Sequence, residues 1–530
     1  MARGALPLRI PRWPGALAAG AVAALCLGPV VLLWRTAEGG GALAPADWAA
    51  LRFTLVQAAL SAALSVLFAV PVARALARRR FAGWGVLVTA LGVPFLLPVI
   101  VAVMALVAVF GQAGMVNAAL AEVGLPGVRI YGPWGVVLAH VFLNLPLAVR
   151  MILHGWQQIP AERFRTAAAL GFGPAEIARH LERPMLRAVL PGAGLAVFLI
   201  CLTSFAVALV LGGGPRATTV ELAIYQAVRF DFDLGRAALL ALVQAGLCAA
   251  GALLAAGVAA PAGFGAGLDR ARMRWDGRDP WTRLLDAAAI GTAAAFLLLP
   301  LGAMLLRGLG SVPVLPAEVW AAALRSLLLA PVSAAIATGG ALAIGLLALR
   351  SGPGAGLGAR LGARLGEAAG MLPLVASPLV LGAGLFLAVL PLVDPARIAL
   401  WVVVVVNGAM ALPFALRLIL PALRDIAATE ARLAAALGMG GWPLLRLVIL
   451  PRLRRPLGFS AGVAAALAMG DVGVVALFAP AEPTLPLQVL RLMGAFRSDE
   501  AAAAAVVLAV LAFGLYTLCD GWGRRGHAGT

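Results

Sequence analysis

The residues able to do chemistry in this 530-residue chain are few and scattered. Cys26, Cys201, Cys248 and Cys519 each sit inside an apolar run without a CxxC pairing, and His140, His154, His180 and His527 have no partner at metal-ligand spacing. Neither a metal site nor a disulfide framework follows. All 41 basic residues are arginines; there is no lysine. A P-loop uses a lysine on the β- and γ-phosphates and a Schiff-base enzyme uses one as nucleophile, so this polypeptide contains neither. No paired carboxylates and no nucleophile–base set lie within the apolar runs, which argues against an enzyme. One carboxylate stands apart: Asp471 follows Gly470 late in an apolar run, where an ionisable residue is a functional hypothesis by default. Its counterpart 267 residues earlier is Ser204. Thr203 and Asn144 complete a candidate pathway set, although Asn144, Thr203, His140, Asn407 and Gln244 read first as helix–helix hydrogen-bonding residues.

The elements that must position these groups are membrane spans. The chain is 62% hydrophobic and 12% charged, with a mean hydropathy of +0.99, whereas soluble domains carry about 25% charged residues. A helix crossing the ~30 Å hydrocarbon layer needs about 20 apolar residues. Such runs lie near 15–34, 53–73, 84–110, 133–153, 188–211, 237–260, 284–306, 319–349, 370–392, 397–420, 457–479 and 501–519. Twelve spans are expected, which makes the fold class an all-α polytopic membrane protein.

The net charge of +18 is a topology signal before it is a nucleic-acid signal. With both termini inside, 30 arginines fall on the inner side and 11 on the outer, so the positive-inside rule places both termini in the cytoplasm. Ala42-Leu43-Ala44 fits a signal-peptide cleavage pattern, but the apolar stretch from Pro14 to Trp34 is nearer a full span than a 7–15-residue signal core. It is read as a retained helix. Nucleic acid is not an expected partner; membrane lipid is.

The sequence also repeats. Asn144-Leu145-Pro146 through Arg150 recurs as Ala411-Leu412-Pro413 through Arg417, Ala167 to Gly171 recurs as Ala434 to Gly438, and Pro184 matches Pro451, every pair being 267 residues apart. Six spans per repeat is even, so the repeats run parallel, related by an axis along the membrane normal. The organisation expected is a first repeat over 1–262, a cytoplasmic linker over 263–283 and a second repeat over 284–530. The two long inner loops, 154–187 and 421–456, are each expected to form a short surface helix, a glycine turn and a second short helix stopped at proline. Phe164, Ala167 and Ala168 in one, and Leu433, Ala434 and Leu437 in the other, give an apolar face. Two matched copies favour docking on a two-fold partner.

These loops resemble the signature of ABC importer permeases, Glu-Ala-Ala, three residues, Gly, nine residues, Ile-x-Leu-Pro. Here the sequence departs from the signature, with Arg165-Thr166-Ala167 in one repeat and Arg432-Leu433-Ala434 in the other at the Glu-Ala-Ala positions, while the glycines Gly171 and Gly438 and the prolines Pro184 and Pro451 are kept. Leu211-Gly212-Gly213-Gly214-Pro215-Arg216 through Gln226, Gly470-Asp471-Val472-Gly473 through Phe478, Thr484-Leu485-Pro486 and Phe496-Arg497-Ser498-Asp499 are similar to segments of the thiamine/thiamine pyrophosphate ABC importer permeases. That resemblance implies a type I importer permease fold in the bacterial inner membrane. It further implies a separate homodimeric ATPase that binds ATP and Mg, a periplasmic thiamine-binding protein, and no cofactor in this chain. The residues implied for ATPase coupling are Arg165, Ala167, Ala168, Gly171, Pro184, Arg432, Ala434, Ala435, Gly438 and Pro451. Thiamine carries a positive thiazolium, which gives Asp471 an electrostatic role; with aromatic residues only 7% of the chain, no aromatic cage is expected. The alternatives are a permease for ferric iron or another small solute, and a twelve-span ion-coupled secondary transporter, against which the scarcity of intramembrane ionisable residues speaks.

Overall fold

The computed structural model describes residues 12–37, 42–91, 97–258, 274, 276–277, 279–349, 356–478 and 482–524. No strand occurs among them. In the first half the principal helices are α1 (Trp13–Ala37), α2 (Pro45–Arg78), α3 (Val99–Phe110), α4 (Pro133–Gln158), α5 (Ala161–Ala169), α6 (Arg183–Leu202), α7 (Ala206–Leu211), α8 (Val220–Gln226) and α9 (Leu234–Val258). The second half holds α10 (Pro280–Leu309), α11 (Ala317–Ala348), α12 (Leu357–Met371), α13 (Pro378–Val389), α14 (Pro395–Ala436), α15 (Leu450–Met469), α16 (Gly473–Phe478), α17 (Leu485–Gly494) and α18 (Ser498–Arg524). Among the described residues eleven helices are long and apolar enough to cross a membrane, and the pair formed by 357–374 and α13, bent by 96°, makes twelve if counted as one span.

Four spans differ from the continuous runs read in the sequence. The runs at 84–110 and 370–392 each end in a helix of 12 residues, α3 and α13. At 1.5 Å per residue such a helix is about 18 Å long, too short to span alone; α3 reaches spanning length only together with the short helix Met115–Glu122 that follows it, and α13 only with 357–374. Pro98 precedes α3 and Pro378 opens α13, and a proline starts a helix readily but does not continue one from before it. The run at 188–211 is likewise interrupted at 203–205, between α6 and α7. Its repeat counterpart is interrupted at 470–472, between α15 and α16.

Tracing the helices end to end defines two faces. The loops at 159–182 and 437–449, the linker and the C-terminal end of α18 share one end, here the linker face; 203–233 and 470–497 share the other, the far face. Residues 263–273, 275 and 278 of the linker lie outside the described residues, so the linker is placed here by its described part alone.

Each half is built on three packed helices, α2, α4 and α6 in the first and α11, α14 and α15 in the second. Small residues permit close approach, as lipid chains offer no hydrophobic drive for helix association: a Cβ on Gly308 would lie 2.8 Å from the Ala502 carbonyl oxygen, and one on Gly458 2.5 Å from that of Cys519. The first helices bridge the two halves: α1 packs on α9 of its own half and on α11, α12 and α13 of the second, and α10 packs on α18 of its own half and on α2 and α3 of the first, with its Phe296 meeting Phe142 of α4 edge-on at 5.6 Å. The apolar segment from Pro14 to Trp34 is thus an integral part of the fold.

Candidate functional site

At the linker face the two inner loops close alike and begin differently. In both, a glycine takes a left-handed turn, Gly171 at φ +69° and Gly438 at φ +63°, where a Cβ is disfavoured. The next amide closes the turn, Phe172 N–H onto the Ala167 carbonyl at 2.9 Å and Met439 N–H onto that of Ala434 at 2.8 Å. The surface helix expected in each loop is separate only in the first. There Ile159-Pro160 ends α4 before α5 begins, whereas the residue corresponding to Pro160 is Ala427, and α14 runs unbroken for 42 residues to Ala436.

The second short helix of each loop does not stop at proline as expected. Residues 174–177 continue through a π turn at Ala178–Glu182 into α6, and 441–444 continue through one at Leu445–Ile449 into α15. Each π turn directly precedes the first turn of a helix holding Pro184 or Pro451. The wider i→i+5 bonding lets the chain proceed past a residue with no N–H to give.

The expected coupling residues divide by exposure. Arg165, Ala168, Gly171, Pro184, Gly438 and Pro451 are exposed, while Ala167 and Ala434 are buried and seat their loops. The side chains of Arg432 and Ala435 lie outside the described residues. The apolar faces are narrower than expected: Phe164 and Ala167 turn inward but Ala168 does not, and Leu433 and Leu437 point outward, 56% and 62% exposed, beside Trp442 at 65%. The helices are therefore held by one or two inward residues, leaving an apolar patch free on the linker face.

Both loops carry ion pairs, but among the described residues those of the second, Arg452 with Glu430 and Arg424 with Glu367, have a largely exposed arginine, whereas those of the first are buried. Arg274 of the linker donates from Nη2 to Glu182 Oε1 at 2.8 Å and from Nε to Asp276 Oδ1 at 2.8 Å, with its guanidinium carbon 4.8 Å from the Phe164 ring centre. Arg74 meets Glu182 at 2.7 Å, Arg78 meets Asp276 at 3.0 Å and Arg79 meets Asp286 at 2.7 Å. Burial works against ionisation of Asp276, but the hydrogen bonds and charge of Arg274, with the charge of Arg78, outweigh it and hold the carboxyl below the usual carboxylate range. The residue matching Glu182 in the second loop is Ile449.

Toward the far face, the repeat-related helix breaks form two related polar sites of unlike content. In the first half Gln57 fills the space, donating from Nε2 to the carbonyl oxygens of Cys201 at 2.9 Å and Thr54 at 3.2 Å. Its counterpart is Leu329, which cannot donate, and there a small cavity is lined by Ser326, Leu329, Ser333, Asn407, Asp471 and Thr484. Asp471 Oδ1 accepts the Gly473 N–H at 3.2 Å, while Asp471 Oδ2 and Thr484 Oγ1 are buried without a hydrogen-bond partner among the described residues. Buried polar atoms are normally paired; the first-half site holds orphans as well, Gln57 Oε1 and Ser61 Oγ, but there the carboxylate is replaced by Ser204. Of the other pathway candidates, Ser204 sits in the matching break, but Thr203 bonds back to the carbonyls of its own turn and Asn144 bonds the His140 carbonyl at 2.9 Å. Gln244 similarly joins helices, bonding the Leu202 carbonyl at 3.0 Å and Glu221 at 3.2 Å. Glu221 in turn accepts from Ser377, which caps α13.

The structure gathers aromatic side chains that composition gave no reason to expect together. Exposed Phe230 meets Tyr225 edge-on at 5.7 Å, and Tyr225 meets buried Phe205 at 5.2 Å. A Cβ on Gly473 would lie 3.5 Å from the Phe205 ring and 3.9 Å from Asp471 Oδ1, so this row of rings leads from the far face to the carboxylate. The aromatic cluster Phe230-Asp231-Phe232 beside an outer loop is the sequence signal that could have found it.

Two parallel repeats with matched helix breaks, matched linker-face turns and a polar site at one break define a two-repeat membrane transport permease. Among curated proteins the chain is 38% identical over 517 residues to the thiamine transport system permease protein ThiP of Brucella abortus (strain 2308), covering 96% of this chain and 94% of the relative. It is 38% identical over 529 residues to the ThiP of Salmonella typhimurium and 37% over 530 to that of Escherichia coli K12, covering 96% of this chain and 97% of each relative. No protein-family model matches. The chain belongs to the family of thiamine transport system permease proteins.

Proposed function

We propose that this chain is the permease subunit of an ATP-driven importer that carries thiamine, with or without its phosphate esters, across the bacterial inner membrane. The observation that carries the reading is the likeness to thiamine permeases along nearly the whole of both chains. The ferric-iron and ion-coupled alternatives gain no support from these relatives. In this reading the linker face, which collects most of the arginines, is cytoplasmic together with both termini. A separate homodimeric ATPase docks on the exposed parts of the two loops, Arg165, Ala168 and Gly171 on one and Leu433, Leu437 and Gly438 on the other, and binds the ATP and Mg. A periplasmic thiamine-binding protein delivers the substrate at the far face, and lipid covers outward side chains such as Leu298, Leu306 and Trp401.

ATPase closure would move the two loops as rigid bodies and switch the cavity between its two openings. Asp471, with the hydroxyls of Thr484 and Ser333 and the amide of Asn407, supplies the negative end of the pathway for the thiazolium. Phe205 and Tyr225 offer ring faces to the same cation.

The test is uptake of radiolabelled thiamine into proteoliposomes holding this chain and its ATPase, with loaded binding protein outside and ATP inside. Uptake should need all components, and Asp471→Asn should cut it by about 10- to 100-fold, the worth of a hydrogen bond to a charged group, while ATP hydrolysis persists. Uptake by this chain alone under an imposed ion gradient would end the reading. Unchanged uptake by Asp471→Asn would remove the carboxylate from the pathway and leave the transporter class standing.

A further inference from the structure

Two phenylalanines on the far face adopt a backbone conformation that their side chains disfavour. Phe232 has φ 52° and ψ 26°, Phe496 has φ 58°, and among the described non-glycine residues they are the two with positive φ. They occupy one structural position in the two halves, 264 residues apart, each just past a far-face helix and two residues before the last span of its half. The turns close on the preceding helix, Asp233 N–H onto the Ala227 carbonyl and Arg497 N–H onto that of Leu492, both at 3.0 Å. This left-handed slot after a helix end usually falls to glycine or asparagine, and for a bulky residue it is a true outlier.

Burial does not compensate for the strain. Phe232 is 76% exposed, and Phe496, at 93%, is the most exposed of the large apolar side chains described. Strained residues cluster where function holds them. Lipid is a poor match for these rings, because paired charges surround them: Arg236 bonds Asp47 at 2.7 Å and Asp231 at 2.9 Å, Arg307 bonds Asp499 at 2.6 Å and Arg497 bonds Glu500 at 3.0 Å. An aromatic centre with a polar, charge-paired rim is the anatomy of a protein–protein contact.

We propose that Phe232 and Phe496 are twin anchors, one per repeat, for a soluble protein that docks on the far face and offers two quasi-equivalent apolar sockets. Resting on the function proposed above, that protein is the loaded binding protein; the placement opposite the coupling loops and the duplication across the repeats favour it over a one-sided partner.

Phe232→Gly, Phe496→Gly and the double variant separate anchoring from structure, since glycine suits the left-handed backbone and removes only the ring. In the proteoliposome assay each single variant should raise the concentration of thiamine-loaded binding protein needed for half-maximal uptake by about tenfold or more, as a central aromatic contact does. ATP hydrolysis without binding protein should stay at the wild-type level, and the melting temperature should hold or rise. An unchanged half-saturating concentration in the double variant overturns the inference. So does a lower melting temperature with lost basal hydrolysis, which would make the rings structural, and so does an effect that follows lipid composition instead of binding-protein concentration. If the wild-type protein takes up no thiamine, the function reading falls, and docking is then judged by direct binding of the same carrier to permease in nanodiscs. Equal affinity for wild type and double variant, or no binding to either, overturns the anchors.

Discussion

Arg274→Gln should release the first linker-face loop and leave the second untouched. The arginine is 8% exposed and bonds two carboxylates that are almost wholly buried, Glu182 at 3% and Asp276 at 0% side-chain exposure. Removing one partner from a buried ion pair costs about 3–5 kcal/mol, because the remaining charge loses its compensation. Glu182 keeps Arg74 and the Trp156 indole N–H, and Asp276 keeps Arg78, which places the expected cost at the lower end, about 3 kcal/mol. At 1.4 kcal/mol per factor of ten, that raises the open population of the loop about 100-fold. Hydrogen exchange of the permease in nanodiscs reads this directly: amides of α5, over 161–170, should exchange about 100-fold faster, while those of 428–438, in a loop without such a clamp, should not change. Arg274→Lys should fall between, since an ammonium keeps the charge but not the planar fork that serves both carboxylates. Equal exchange in α5 before and after substitution would refute the clamp, and loss of protection in both loops together would show global unfolding.

Two further outcomes follow from the same face. Because the folded Asp276 carboxyl lies below its ordinary value of 3.8, its contribution is complete above that value and disappears as pH falls through the lower folded one; hydrogen exchange over 161–170, corrected for the pH dependence of the intrinsic rate, should keep its protection above about pH 4 and lose it below, and loss already at pH 6 would contradict the assignment. Ala427→Pro places in α14 the proline that ends α4, at a cost of about 3 kcal/mol for a helix interior; a lower melting temperature with faster exchange over 428–436 is expected, and an unchanged melting temperature would mean that the continuity of α14 carries no weight.

The parts of this molecule legible in the sequence are those fixed by apolar length and by repetition. Twelve runs led to eleven long helices and one bent pair, and the offset of 267 located matching turns at Gly171 and Gly438, matching π turns before Pro184 and Pro451, and matching breaks around Ser204 and Asp471. Hydropathy carries no information on where a span breaks, so the shortness of α3 and α13 was hidden. Nor does it tell which side of a short helix faces the protein: the apolar face read as Leu433, Ala434 and Leu437 divides, with Ala434 inward and both leucines outward. The Asp471 carboxylate stood out as the rare charge in an apolar run, whereas Phe205, Tyr225 and Thr484 reach it only through tertiary packing. Arg274 was visible as one of several linker charges, with nothing in the sequence to tell that Glu182 and Phe164 lie under it.

The bridging by α1 and α10 has a kinematic consequence. Each half carries, as its first helix, a beam seated on both halves, so a rotation that separates the two central trios of helices must drag each beam across one of the two bodies. Wide parting along the midline is thereby resisted on both flanks at once, and the motion left is a shallow rocking about the pseudo-two-fold axis, guided like a drawer on two rails. The same arrangement makes the covalent linker dispensable for cohesion: two half-chains produced separately, cut within 259–273, should still find each other, because α1 and α10 each present to the other half a surface that stays uncovered until the two meet.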